Sequence, residues 1–216
     1  MWGSLSLPWQ VCLEEAWEAY CAGSVPIGAV VTDAAGHILA RARNRIADSE
    51  GEAGTLYGQT LAHAEVNVLT GLPPQGKVDR HTCALYTTVE PCPLCLGAIY
   101  MSGVRQLHYA ARDPFAGSTN LLGATPYLSR KPIEVFGPQR ADLEIISLAL
   151  GVEFELSHDR GESTRQLLEV WRAVVPQGVS LGEALFQMGE LNQMREKREK
   201  APEVVNQLKF HLMTGE

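Results

Sequence analysis

Two short motifs, His63-Ala64-Glu65 and Pro91-Cys92-Pro93-Leu94-Cys95, constrain this chain more than any other feature. Together they hold two thiols, an imidazole and a carboxylate, so the fold must bring two distant segments to one point. Cys92 and Cys95 are three residues apart, and a helical turn presents both sulfurs on one face. His63 adds a neutral imidazole. Three protein ligands leave a fourth position on Zn²⁺ open to water, which is the catalytic and not the structural arrangement. Glu65 then stands as a base beside that water. On a regular helix His63 and Glu65 would lie about 200° apart around the axis, so they can serve one centre only within a first turn. Cys92 and Cys95 likewise open the next helix. The expectation is that two helix N-termini converge on the metal, their positive ends favouring thiolate.

The surrounding pattern places these motifs on an α/β scaffold. Residues 8–22 repeat apolar groups at helical spacing and stop at Gly23. Ile27 to Asp33 and His37 to Arg43 read as strands around a turn at Ala34-Ala35-Gly36. Leu61 to Gly71 reads as a helix, Pro73 to Gly76 as a break, and Cys83 to Val89 as a buried strand. Pro93 to Met101 is predicted as a helix with proline in its first turn, and Val104 to Ala110 as a strand. A strand joined through a helix to another strand implies parallel pairing. Phe115 to Arg130 is predicted as loops bordering a pocket, and Pro138 to Leu150 as a helix. Val152 to Leu156 is predicted as a fifth strand, Ser163 to Val174 as a helix, and Leu181 to Met213 as a helical tail. The charge run Arg195 to Lys200 reads as a solvated helix face. The expected architecture is a layered α/β/α domain with a mixed five-stranded sheet over residues 1–160, and a helical extension over 161–216 packing on it.

Composition narrows the setting. No apolar run approaches the roughly 18 residues of a membrane span, so no membrane partner is expected. Met1 to Pro8 lacks the basic and sustained apolar regions of a secretory signal. Of five cysteines, Cys12, Cys21 and Cys83 are left after the metal pair and read as core filling. That odd count suits a reducing cytoplasm better than a disulfide framework. The formal net charge of -7 disfavours a tRNA partner, whose phosphates reward a basic surface, and favours a free base or nucleoside. The histidines other than His63 have no ligand spacing and read as structural.

With Val25-Pro26-Ile27-Gly28-Ala29-Val30-Val31, Asn44, Val89-Glu90 and Ala110-Ala111-Arg112-Asp113, the two motifs resemble the cytidine deaminase-like superfamily in its His-Cys-Cys branch, over roughly residues 8–123. In flavour they are closest to the tRNA adenosine and guanine deaminases. The resemblance implies Zn²⁺ held by His63, Cys92 and Cys95, with Glu65 as the catalytic proton carrier. It also implies a homodimer, and substrate contacts at Asn44, Ile27, Ala64, Pro91 and Asp113. Ile46 to Thr60 is longer than the corresponding connection in the family, and Glu50, Gly51, Glu52 and Gly54 suggest a mobile loop over the pocket. The implied activity is hydrolytic release of ammonia from an amino-substituted nucleobase or nucleoside. A guanine-like purine stands first, with cytosine or cytidine behind it. A tRNA-specific adenosine deaminase is the second reading. A non-catalytic zinc or nucleotide-binding module is the third, and in its simplest form Glu65 closes the coordination as a fourth ligand.

Overall fold

The computed structural model describes residues 1–74 and 76–214. Gln75, within the predicted break, and Gly215 and Glu216, at the end of the predicted extension, lie outside the described residues. Five strands, β1 (Gly28–Thr32), β2 (Ile38–Arg43), β3 (Ala84–Val89), β4 (Gln106–Ala111) and β5 (Glu134–Phe136), form one sheet in the order β2-β1-β3-β4-β5. β1 runs antiparallel to both β2 and β3, whereas β3, β4 and β5 are parallel. The sheet is therefore mixed.

Strand alternation sends successive side chains to opposite faces, and the two faces bury different helices. Ala29, Val31, Leu85 and Leu107 pack with Val68 of α2 (Ala64–Thr70) and with Leu96 and Ile99 of α3 (Pro93–Ser102). Val30 and Ala110 face the other way, onto Trp9 and Leu13 of α1 (Leu7–Cys21) and Leu143 of α4 (Ala141–Ser157). This is the α/β/α layering expected. The close approach of α1 depends on Gly28, since a Cβ there would stand 2.1 Å from the carbonyl oxygen of Cys12.

The remaining helices, α5 (Glu162–Val174), α6 (Pro176–Met188), α7 (Glu190–Glu196) and α8 (Ala201–Thr214), share one apolar cluster with α4 and with Trp17 and Tyr20 of α1. On α6, Gly178 and Gly182 sit one turn apart against Leu148 and Val152. Added Cβ atoms would come within 2.9 Å and 2.5 Å of those side chains, so two glycines set the depth of this packing. Among the described residues no helix is long and apolar enough to cross a membrane.

Three sequence expectations are corrected. Val152 to Leu156 is not a strand but the last part of α4. Its apolar–acidic alternation imitates a half-buried strand, yet both kinds of residue are enclosed. Glu153 is fully buried and accepts from Ser157 Oγ at 2.9 Å, and Glu155 pairs with Arg160. The fifth strand is the three-residue, fully exposed β5 at the sheet edge, too short to print a periodic signal. The run Arg195 to Lys200 is not one helix face. α7 ends at Glu196, and Arg198 takes a positive φ of 57° in the turn to α8. The cysteine expectation fails in part as well: Cys12 and Cys83 are buried, but Cys21 is exposed.

Candidate metal centre

The ligand motifs lie where two helices begin. His63 is the N-cap residue of α2, in extended conformation, and its carbonyl accepts from Asn67 N at 3.0 Å. Glu65 falls in the first turn, and so His63 and Glu65 share a helix end without needing the same helix face. Cys92 is the N-cap residue of α3, Pro93 opens that helix, and Cys95 lies one turn in. Proline is tolerated there because its missing N–H would have had no intrahelical partner. β3, the central strand, delivers this segment from its C-terminal end, where the Pro91 carbonyl is tied by Ser118 N at 3.0 Å.

The donor atoms converge. One atom each from His63, Cys92 and Cys95 lies within 4.8 Å of the others. His63 Nδ1 is 3.7 Å from Cys92 Sγ and 3.4 Å from Cys95 Sγ. Zinc–nitrogen and zinc–sulfur bonds of about 2.0 and 2.3 Å span separations of this size, and borderline-soft nitrogen and sulfur donors suit zinc. The residues fit a zinc ion. Glu65 lies outside the mutually close group. It is buried; Thr87 Oγ1 donates to its Oε1 at 3.1 Å and Cys95 Sγ to its Oε2 at 3.2 Å.

The electrostatics follow from burial and these contacts. Burial pushes the Glu65 carboxyl up, against the pull of hydrogen bonds and of His63. Contact with Cys95, with help from His63, brings Cys92 down to about 4. The same contact, with burial and Glu65, drives Cys95 up. His63 is raised, first by its contact with Cys92. The two thiols thus titrate as a pair in which one is readily a thiolate, and a bound divalent cation would hold both in that form.

A cavity of about 720 Å³ opens at His63. Its other walls include Val25, Ile46, Thr60, Phe154 and His158. Phe154 and His158 stack with ring centroids 4.0 Å apart, and His158 Nδ1 lies 2.8 Å from the Phe154 carbonyl oxygen. That contact makes Nδ1–H the donor, since a carbonyl oxygen can only accept. The end of α4, distant in the chain, therefore supplies an aromatic wall beside the metal ligands. Sequence reading missed it, having assigned Val152 to Leu156 to the sheet and His158 to structure. It also missed Thr87, whose only sequence signal is a polar residue inside a buried strand, and Asn67. Asn67 clamps the loop by accepting from Leu56 N at 2.7 Å and donating to Leu56 O at 3.0 Å.

The proposed substrate contacts are placed unevenly. Asn44 is buried at the end of β2, with its Oδ1 accepting from Ile46 N at 3.1 Å. Ile27 is half-buried and accepts from Asn44 N through its carbonyl at 2.9 Å. Ala64 and Pro91 are buried beside His63 and Cys92. Asp113 is engaged structurally: its Oδ1 accepts from Phe115 N at 3.0 Å, Ala116 N at 3.1 Å and Trp171 Nε1 at 3.0 Å. Glu90 organises the same loop, accepting from Thr119 N at 3.3 Å and from its hydroxyl.

Residues 6–111 match the family model described as the cytidine and deoxycytidylate deaminase zinc-binding region. The probable cytosine deaminase of Schizosaccharomyces pombe is 30% identical over 139 residues, covering 57% of this chain and 77% of that protein. The tRNA-specific adenosine deaminase of Bacillus subtilis is 36% identical over 111 residues, covering 51% of this chain and 63% of that protein. A solved structure in complex with 2,6-diaminopurine is similar with a TM-score of 0.54 at 25% identity, covering 73% of this chain and 85% of that one.

Proposed function

This chain belongs to the cytidine and deoxycytidylate deaminase zinc-binding family, and from that premise we propose that it is a hydrolytic deaminase releasing ammonia from an amino-substituted nucleobase or nucleoside, with a guanine-like purine first. The observation that carries the reading is the separation of roles at the centre: His63, Cys92 and Cys95 form the close donor group, and buried Glu65 stands beside it and outside it. A fourth protein ligand would close the site, and among the described residues the close donor group has three members.

Zinc held by His63, Cys92 and Cys95 would supply Lewis-acid chemistry. The chain's own groups do the rest. Glu65 moves one proton of the attacking water to a ring nitrogen of the substrate and the second to the leaving amine, so that a C–O bond replaces the C–N bond and ammonia departs, a task favoured by a carboxyl that burial makes more basic. Thr87 fixes one Glu65 oxygen and leaves the other facing the donors. Asn44, with Oδ1 committed to Ile46 N–H, offers its amide Nδ2 to the base. Ile27, Ala64 and Pro91 would border the ring, and Phe154 and His158 would cover it. Asp113 acts here through the loop that it holds.

Exposed Leu61, Leu94 and Phe115 flank the ligand segments and support a homodimer in which a second copy covers them. The helices of residues 161–216 are read as an extension that buttresses α4, and the working compartment as the cytoplasm. A second reading, tRNA adenosine deamination, is supported by the likeness to the Bacillus tRNA-specific enzyme. Ammonia release from guanine, adenine, cytosine and their nucleosides, and from an anticodon stem-loop, tests these readings. Turnover of a free purine is expected. Turnover of the stem-loop alone would select the second reading, and bound zinc with no ammonia from any of them would leave a binding module.

A further inference from the structure

Half of the cations in this acidic chain have carboxylate partners, and the rest are not scattered. Of 18 Lys and Arg residues, nine form ion pairs within 4.0 Å. Those without one among the described residues include two groups. One is the turn Arg195–Lys200, where Glu196 and Glu199 are interleaved. The others are Arg130 and a group of four, Lys77, Arg80, Arg105 and Lys131, which the fold gathers from separate segments. Lys77, Arg80, Arg105 and Lys131 line one open cavity of about 490 Å³ at the C-terminal end of α3, together with His81 and a single carboxylate, Asp79. Asp79 is partly committed, its Oδ1 accepting from His81 N at 3.0 Å.

Neutral groups hold Arg80, Arg105 and Lys131 without cancelling their charge. Arg80 donates to the carbonyls of Pro73 at 3.0 Å and Ser102 at 3.5 Å. Arg105 donates to Val104 O at 2.7 Å, and Lys131 Nζ sits 5.6 Å from the centre of the Tyr100 ring. Gly103, at a φ of 97°, ends α3 against Arg80 and His81. Clustered like charges repel one another, so a chain with a net charge of -7 concentrating them this way leaves a surface complementary to an anion. Four cations spread around an open rim match repeated, spaced charges better than one compact ion.

We propose that this rim is a docking surface for the phosphate backbone of a nucleic acid, at the opposite end of α3 from the metal ligands. It stands independently of which base the metal centre deaminates. Four phosphate contacts give a binding constant that falls about 100-fold between 50 and 200 mM salt.

The test is fluorescence anisotropy with a labelled RNA stem-loop and the full chain across that salt range. Lys77→Ala/Arg105→Ala/Lys131→Ala, which spares Arg80 because it ties α3 to its neighbours, is expected to weaken binding at least about 10-fold and to reduce the log–log salt slope by about 2 to 3. Lys197→Ala/Lys200→Ala is expected to leave both unchanged. Thermal melting and ammonia release from the best free base should be the same in all three proteins. A fold defect is thereby separated from a binding defect, and loss of the deaminase reading would leave the binding result intact. Wild-type-like binding by the triple variant would overturn the proposal, as would an equal loss in the Lys197/Lys200 variant. Equal affinity for polyglutamate of matched charge would also overturn it. Displacement of the RNA by inorganic phosphate at constant ionic strength would replace the backbone surface with a small-anion site.

Discussion

At its N-terminal end α3 carries Cys92 and Cys95 into a centre where Glu65 is buried and His63 half-buried; at its C-terminal end, about 15 Å along the helix, it meets Arg80 and Arg105 beside exposed Lys77. The charges at the two ends do different work because water reaches them differently. Near the thiols low polarisability magnifies each interaction, so contact with Cys95 and His63 brings Cys92 down to about 4, and burial is the largest cause raising Glu65. At the far end solvent and salt screen the cations within roughly 8 to 10 Å, and only their number makes a surface. One end should therefore be sensitive in turnover and the other in shape.

The largest effect expected is at Glu65. Glu65→Gln should lower ammonia release by about 10² to 10⁴ while one zinc per chain remains, measured by metal analysis on the same sample. Near-normal turnover would erase the distinction between the ends. Next is Thr87→Val, which keeps the shape of a buried strand residue but removes the donor to Glu65 Oε1. A hydrogen bond to a charged group is worth about 1.5 to 3 kcal/mol, so turnover should fall about 10- to 100-fold, with zinc content and melting unchanged. A lowered melting temperature with intact turnover would make Thr87 structural. The smallest is Gly103→Ala. An L-residue at that left-handed turn costs about 1 to 2 kcal/mol, read as denaturant midpoint, with turnover per folded molecule unchanged; reduced turnover would show that the two ends are coupled.

The metal end was the more legible in sequence because its residue types are the chemistry. Two cysteines one turn apart and a His-x-Glu pair are the donor types and the carboxylate that a zinc site of this kind requires. Cys92 as a cap follows from the helix expected at Pro93, whereas the helix expected from Leu61 begins only at Ala64, which makes His63 its cap. β1 was legible for the related reason that a strand buried on both faces reads as a β-branched run. What stayed hidden depends on partners far away in the chain. Asp113 looks the same whether it binds a base or accepts from Trp171, and only tertiary packing shows that it accepts. Phe154 and His158 line the cavity at His63 because α4 continues as a helix past a segment that alternates like a strand. β5 is recognised only through its neighbour, pairing with Gln106, Leu107 and His108. The cation rim was invisible for a further reason: its members lie in separate segments of an acidic chain, and net charge does not report where charges meet.

The most direct test of the central claim is zinc K-edge X-ray absorption on the purified chain and on Glu65→Gln. The assignment of His63, Cys92 and Cys95 as the ligands, with Glu65 outside the shell, predicts one zinc bearing two sulfur neighbours at about 2.3 Å and two nitrogen or oxygen neighbours at about 2.0 Å, identical in both proteins. A folded chain without zinc would contradict it, and so would a shell that loses an oxygen neighbour when Glu65 is replaced.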